Sequence, residues 1–242
     1  MKIKILLIVL VCSLSSCIST KKLQKKLNGE KIEVNTLHFN SKSNSHEKLD
    51  ISLVIIDTLK NNDTEVSKNK KYVIPLIILN IHHLDYQIKL GQNNLSEKLS
   101  KTLYNEFIEE TKRSANFNIK SSSSYILKID FNEIDYQTKF IEDFFGFWSM
   151  ATTTRKVLPE NASIELNVSL YDKNKKEIIF DKKYNETHFS KNIGDEEIMS
   201  TNDLKKVILN NFNASLSENL ENIINKIIKD INELSKTLAN NG

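Results

Sequence analysis

Apolar and polar positions change period several times along this chain, and each change predicts an element. Tyr125, Leu127, Ile129 and Phe131 alternate with Ile126, Lys128, Asp130 and Asn132. That period of two predicts a half-buried strand running to about Thr138. Ile164, Leu166, Val168 and Leu170 alternate again, and 172–176 reads as the turn of a hairpin returning over 178–188. Leu49–Leu59 is rich in Ile, Leu and Val and predicts a strand buried on at least one face. Ile32, Val34, Leu37 and Phe39 suggest an earlier strand, and 40–48 and 60–70 read as polar loops. Tyr72–Ile81 is the most apolar stretch after the first seventeen residues, and Pro75 within it argues for an edge position or a bulge.

Two segments switch to helical spacing. Leu95, Leu99, Leu103 and Phe107 recur every four residues within 94–114. From 202 to 238, Leu204, Ile208, Phe212, Leu216, Leu220, Ile224, Ile227 and Ile231 keep a three-four rhythm, with Ser200, Thr201 or Asn202 as the cap. Strands, helix, strand, hairpin and helix together predict an α+β fold. The expected form is a two-layer sandwich, a mainly antiparallel sheet with two amphipathic helices on one face. One domain over 31–242 accommodates all of it.

The first seventeen residues follow a different rule. Lys2 and Lys4 precede a short apolar run, Ile5–Val11, extended through Cys12 and Leu14. It is about half the length that crosses a bilayer. Leu14-Ser15-Ser16-Cys17 then resembles the lipobox of bacterial lipoproteins. The resemblance implies cleavage between Ser16 and Cys17, leaving 1–16 as signal peptide, and a lipid on Cys17. It also implies the periplasmic face of the outer membrane, because neither an aspartate nor an acidic cluster follows the cysteine. Cys12 and Cys17 are the only cysteines, so this processing leaves no disulfide. Residues 17–30, with Lys21, Lys22, Lys25 and Lys26, read as a lipidated polar tether; contact of these lysines with anionic headgroups is the other reading.

Charge narrows the partners. The net charge is +3, and loss of Lys2 and Lys4 lowers it to +1. A nucleic-acid binder needs a surplus of Lys and Arg, so no nucleic-acid partner is expected. With Gly 5 and Pro 2, Gly-rich phosphate loops are not expected either.

Catalytic and metal-binding patterns are sparse. On a strand His83 and Asp85 share a face while His82 points to the other; His38, His46 and His188 are scattered. A cluster at a strand end is expected there, with no metal and no cofactor. Ser121–Ser124 lacks the glycines of a nucleophile elbow and reads as a connector. Glu109-Glu110, Glu142-Asp143 and Asp195-Glu196-Glu197 read as solvated carboxylates.

The most unusual segment is 140–150, with Phe140, Ile141, Phe144, Phe145, Phe147, Trp148 and Met150, followed by Arg155 and Lys156. No alternation is evident. It reads as an aromatic loop that contacts a membrane or a partner, or else as a satellite core under the sheet. Arg155 would then meet headgroups or an acidic partner. The order of elements over 72–238, together with the lipobox, resembles small envelope lipoproteins: YajG-like lipoproteins and the auxiliary lipoproteins of envelope transport systems. That resemblance implies a non-enzymatic accessory or interaction subunit in cell-envelope assembly or transport, bound to the membrane by its lipid and to an envelope protein partner. A carrier of a lipid or other hydrophobic ligand, in a cleft between helices and sheet, is the second reading; an envelope hydrolase is the third.

Overall fold

The computed structural model describes residues 18–29, 48–59, 62–75, 79–92, 96–114, 117–147, 150–158, 161–189 and 200–240. The elements run α1 (Thr20–Asn28), β1 (Leu49–Asp57), β2 (Glu65–Pro75), β3 (Leu79–Lys89), α2 (Ser96–Ser114), β4 (Phe117–Ile119), β5 (Tyr125–Phe147), β6 (Met150–Val157), β7 (Asn161–Asp172), β8 (Glu177–Phe189) and α3 (Thr201–Asn240). The fold is α+β, built among the described residues on one eight-stranded, mainly antiparallel sheet. Among the described residues there are three helices rather than two. The suggested strand over 32–39 lies outside them.

β5 organises the sheet. Its 23 residues are long enough to have four neighbours. The first half lies between β1, which runs parallel to it, and β7. The second half lies between β3 and β6, both antiparallel. Strands β4 and β8 extend the first half, and β2 extends the second. The sheet therefore consists of a base, β4-β1-β5-β7-β8, and an arm, β2-β3-β5-β6, joined through one continuous strand.

A bulge on β5 sits at that junction. Phe131 pairs with Leu166 and Glu133 with Glu165, so Asn132 is an extra residue. A bulge of this kind shifts the alternation by one position and increases the local twist. Leu127, Ile129 and Phe131 are buried before it, and Ile134, Tyr136, Thr138, Phe140, Glu142 and Phe144 after it. One core face thus runs the length of the strand although its sequence period changes phase.

The helices pack on this core. Ile208, Phe212, Leu216, Leu220, Ile223, Ile224, Ile227 and Ile231 of α3 are buried with the inward residues of β5 and β7. The Tyr136 hydroxyl donates to the Ile208 carbonyl, and its ring meets Phe212 edge-on at 4.7 Å. Buried Asn219 donates to the Ala162 carbonyl at 2.9 Å. Ser200 caps α3: its Oγ accepts from the Asp203 amide and donates to the Asp203 carboxylate.

Two expectations are corrected here. Residues 65–70 form part of β2 rather than a loop, and 72–81 divides into the end of β2 and the start of β3. β2 is an edge strand, which explains why a polar run can serve as a strand and why it can end at Pro75. Nor do residues 17–30 form a polar tether over their whole length. Thr20–Asn28 is a helix capped by Ser19, and its Leu23 and Leu27 are fully buried in the main core. The Tyr86 hydroxyl donates to the Ile18 carbonyl at 3.2 Å, and Asn28 accepts from the Thr64 amide at 2.9 Å. The lysines occupy the solvent side of an amphipathic helix.

Candidate functional site

The described residues of 140–150 lie in strands rather than in a loop. Phe140–Phe147 belongs to β5, Met150 opens β6, and the two strands pair from Phe140–Val157 to Phe147–Met150. Alternation is present, with its phase set by the bulge. Phe140 and Phe144 point inward, whereas Phe145 and Phe147 point to the opposite face. The two readings of this segment are therefore divided between its faces.

Phe140 is fully buried and stacks on Tyr86 with ring centroids 4.1 Å apart. Phe144 stacks on His82 at 4.7 Å. Phe145, Phe147 and Met150 remain 48%, 43% and 73% exposed. They lie together at the free end of the arm, beside Ile81, which pairs with Phe145. Trp148, between the paired Phe147 and Met150, is outside the described residues, as are Ser16 and Cys17.

Arg155, expected to meet headgroups or an acidic partner, is largely buried against a carboxylate of its own chain. It lies opposite Glu142 on the inward face, and its Nε donates to Glu142 Oε2 at 2.8 Å. The Arg155 side chain is 9% exposed and that of Glu142 0%. Glu142 is thus not a solvated carboxylate, and its Oε1 has no hydrogen-bond partner among the described residues. The pair was missed in the sequence because the two residues come together only through the register of β5 and β6.

His83 lies on the outward face between two carboxylates. Its Nδ1 is 2.5 Å from Asp143 Oδ1 and its Nε2 is 3.1 Å from Asp85 Oδ1. Asp85 was expected on this face; Asp143 arrives from the neighbouring strand. Among the described residues no group of three or more His, Cys, Asp or Glu is arranged to hold a metal ion. His188 pairs with Glu218 at 3.3 Å; His38, His46 and Asp195-Glu196-Glu197 are outside the described residues. Ser123 donates to the Asp50 carbonyl and accepts from the Tyr125 amide, acting as a connector. Glu109 pairs with Lys112, and Glu110 is buried in α2 rather than solvated.

A groove of about 710 Å³ crosses the sheet where β6 gives way to β7 beside β5; it is lined mainly by polar residues, among them Glu65, Gln87, Lys89, Gln137, Lys139 and Asn161. Among the described residues no helix is long and apolar enough to cross a membrane.

No family model matches the chain. No curated protein matches it either. A crystal structure of a Xanthomonas campestris protein of the DUF330 family is similar to it. The match covers 87% of this chain and 100% of that one, at 11% identity and a TM-score of 0.46.

Proposed function

We propose that this chain is a lipid-anchored envelope protein, held at the periplasmic face of the outer membrane by a lipid on Cys17. It acts there as a non-enzymatic accessory or interaction subunit of envelope assembly or transport. The helices form one layer over the core face of the sheet, and the free end of the arm is the contact surface.

The observation that carries this reading is the docked start of the chain. Ile18, Leu23 and Leu27 are core residues, so the folded body reaches to within one residue of the cysteine that the lipobox resemblance implies as the cleavage site. A lipid at that cysteine would hold the body beside the membrane with almost no slack.

Intact mass of the protein purified from cells tests the anchor. The expected species begins at Cys17 and carries a diacylglyceryl group plus an acyl chain. Cys17→Ser is expected to accumulate as unprocessed precursor. An unmodified Cys17 in the mature protein would overturn the anchor. Crosslinking in cells tests the accessory role, with recovery of envelope assembly or transport subunits as the expected outcome. Recovery of the protein alone would count against that role.

A further inference from the structure

We propose that the end of the arm inserts into the surface of a lipid bilayer, as a second attachment beside the anchor. This inference rests on the envelope reading above and names what the contact surface touches.

The arm is graded along its length. Phe147, Met150, Phe145 and Ile81 occupy its last two paired levels, over about 7 Å of strand. The His83–Asp143 pair stands two residues behind Phe145, about 13 Å from the end. Lysines appear around the level where Tyr86 pairs with Phe140, with Asp85 beside Lys156 opposite Ile141. Lys68 pairs with Tyr86 and holds its Nζ 5.3 Å from that ring, and exposed Lys156 lies one residue away opposite Ile141. The Ile18 carbonyl is bonded to Tyr86 at this same level, and exposed Lys21 and Lys22 follow it on α1.

An apolar end backed by cations is the distribution that an interfacial element needs. Such elements bury their apolar face about 5–10 Å into the boundary between headgroups and acyl chains. That depth takes in Ile81, Phe145, Phe147 and Met150 and stops short of His83 and Asp143. Lysine side chains about 20–23 Å behind the tip reach forward to anionic headgroups. The outer edges of β2 and β6 carry backbone groups that pure hydrocarbon would leave unsatisfied, which limits insertion to the hydrated boundary. α1 runs from the Tyr86 level toward Thr64, so its N-terminus faces the tip. Ile18 therefore enters the body from the side where the bilayer would lie. A protein groove would match the apolar end but would leave the lysines and the direction of α1 unexplained.

The chain contains one tryptophan, Trp148, next to Phe147, and this provides the probe. The full-length protein would be reconstituted into phosphatidylethanolamine–phosphatidylglycerol vesicles and isolated by flotation. Quenching would then be measured with lipids brominated near the headgroup. The expected result is at least twofold quenching of Trp148, a blue-shifted emission and loss of quenching by aqueous iodide. Phe145→Ser/Phe147→Ser and, separately, Met150→Ser should weaken quenching by brominated lipid. These residues are exposed, so an unchanged melting temperature is the check that each variant folds. Equal iodide quenching in vesicles and in solution, with none by brominated lipid, would overturn the proposal. So would a protein crosslinked at position 145 in cells that shields Trp148. Flotation counts only vesicle-bound protein, so this readout judges the tip alone. The mass of Cys17 judges the anchor separately.

Discussion

Glu142 and Arg155 face each other across β5 and β6 with almost no water around them, in the half of the sheet that carries the exposed aromatic end. Removing two charges from water is costly, and the pair is balanced only while both members remain. Arg155→Met alone leaves the buried Glu142 carboxylate without its cation, with an expected loss of about 3–5 kcal/mol in chemical denaturation. Glu142→Leu combined with Arg155→Met should recover most of that loss. A double variant no more stable than the single one would show that the pair is not an independent unit. The same residues mark a limit of reading side chains from sequence. An acidic residue among phenylalanines looks like a break in a strand, but here it takes an inward position and hides the alternation on both sides.

At the scale of elements, the long helix and the last hairpin are joined by one polar contact. Asp230 on α3 accepts from Lys182 and Tyr184 on β8 at 2.6 and 2.5 Å. Burial opposes the charge on Asp230, but the hydrogen bonds from Lys182 and Tyr184 outweigh it and hold the carboxyl below its ordinary range. The Tyr184 hydroxyl is pushed upward, first by burial and then by its bond to Asp230. A depressed carboxyl contributes stability above its unfolded value, and that contribution is lost as pH falls through the folded value. A raised phenol contributes stability that is lost on the alkaline side. The attachment of α3 to β8 should therefore weaken below about pH 4 and above about pH 10. Comparing melting temperatures of wild type and Tyr184→Phe across pH checks this, since the variant should lose the alkaline limb. A flat difference between the two proteins would contradict it.

The elements readable in the sequence were those whose burial is one-sided and uninterrupted. α2, α3, β7, β8 and the first half of β5 fall in that group. β2 was hidden because an edge strand tolerates Glu65, Ser67, Lys68 and Asn69. β6 was hidden because Thr152, Thr153, Thr154, Arg155 and Lys156 make no apolar pattern at all. α1 was read as a tether from its lysines, since two buried leucines four residues apart are a weak signal in so short a stretch. At the candidate site, the apolar excess of 140–150 was legible. Which of its residues face out was not, because that depends on one extra residue upstream.

At the scale of the whole molecule, base and arm share a single strand, so whatever acts on the arm's end is mechanically continuous with the core under α3. Gly91 stands close to the junction, where β3 passes the segment before β2. A side chain there would collide with the backbone of Asn62, Asp63 and Thr64, so the crossing admits only glycine. Together with the docked α1, this fixes the arm's direction relative to the start of the chain.

The bulge at Asn132 also determines which changes of length the gene can sustain. A strand displays its residues two by two, so loss of one residue between Glu133 and Phe140 would exchange the faces of everything beyond it. Phe145 and Phe147 would turn into the core, and Glu142 with Phe144 would turn out. Loss of Asn132 itself would leave the faces unchanged, because Phe131 and Glu133 would then follow in ordinary alternation. A deletion series along β5 should therefore show one permissive site, the bulge at Asn132–Glu133, in a run of forbidden ones. Folded yield should survive at Asn132 and collapse at, for example, Gln137 or Lys139. Natural variation in chain length along this strand would be confined to that single site.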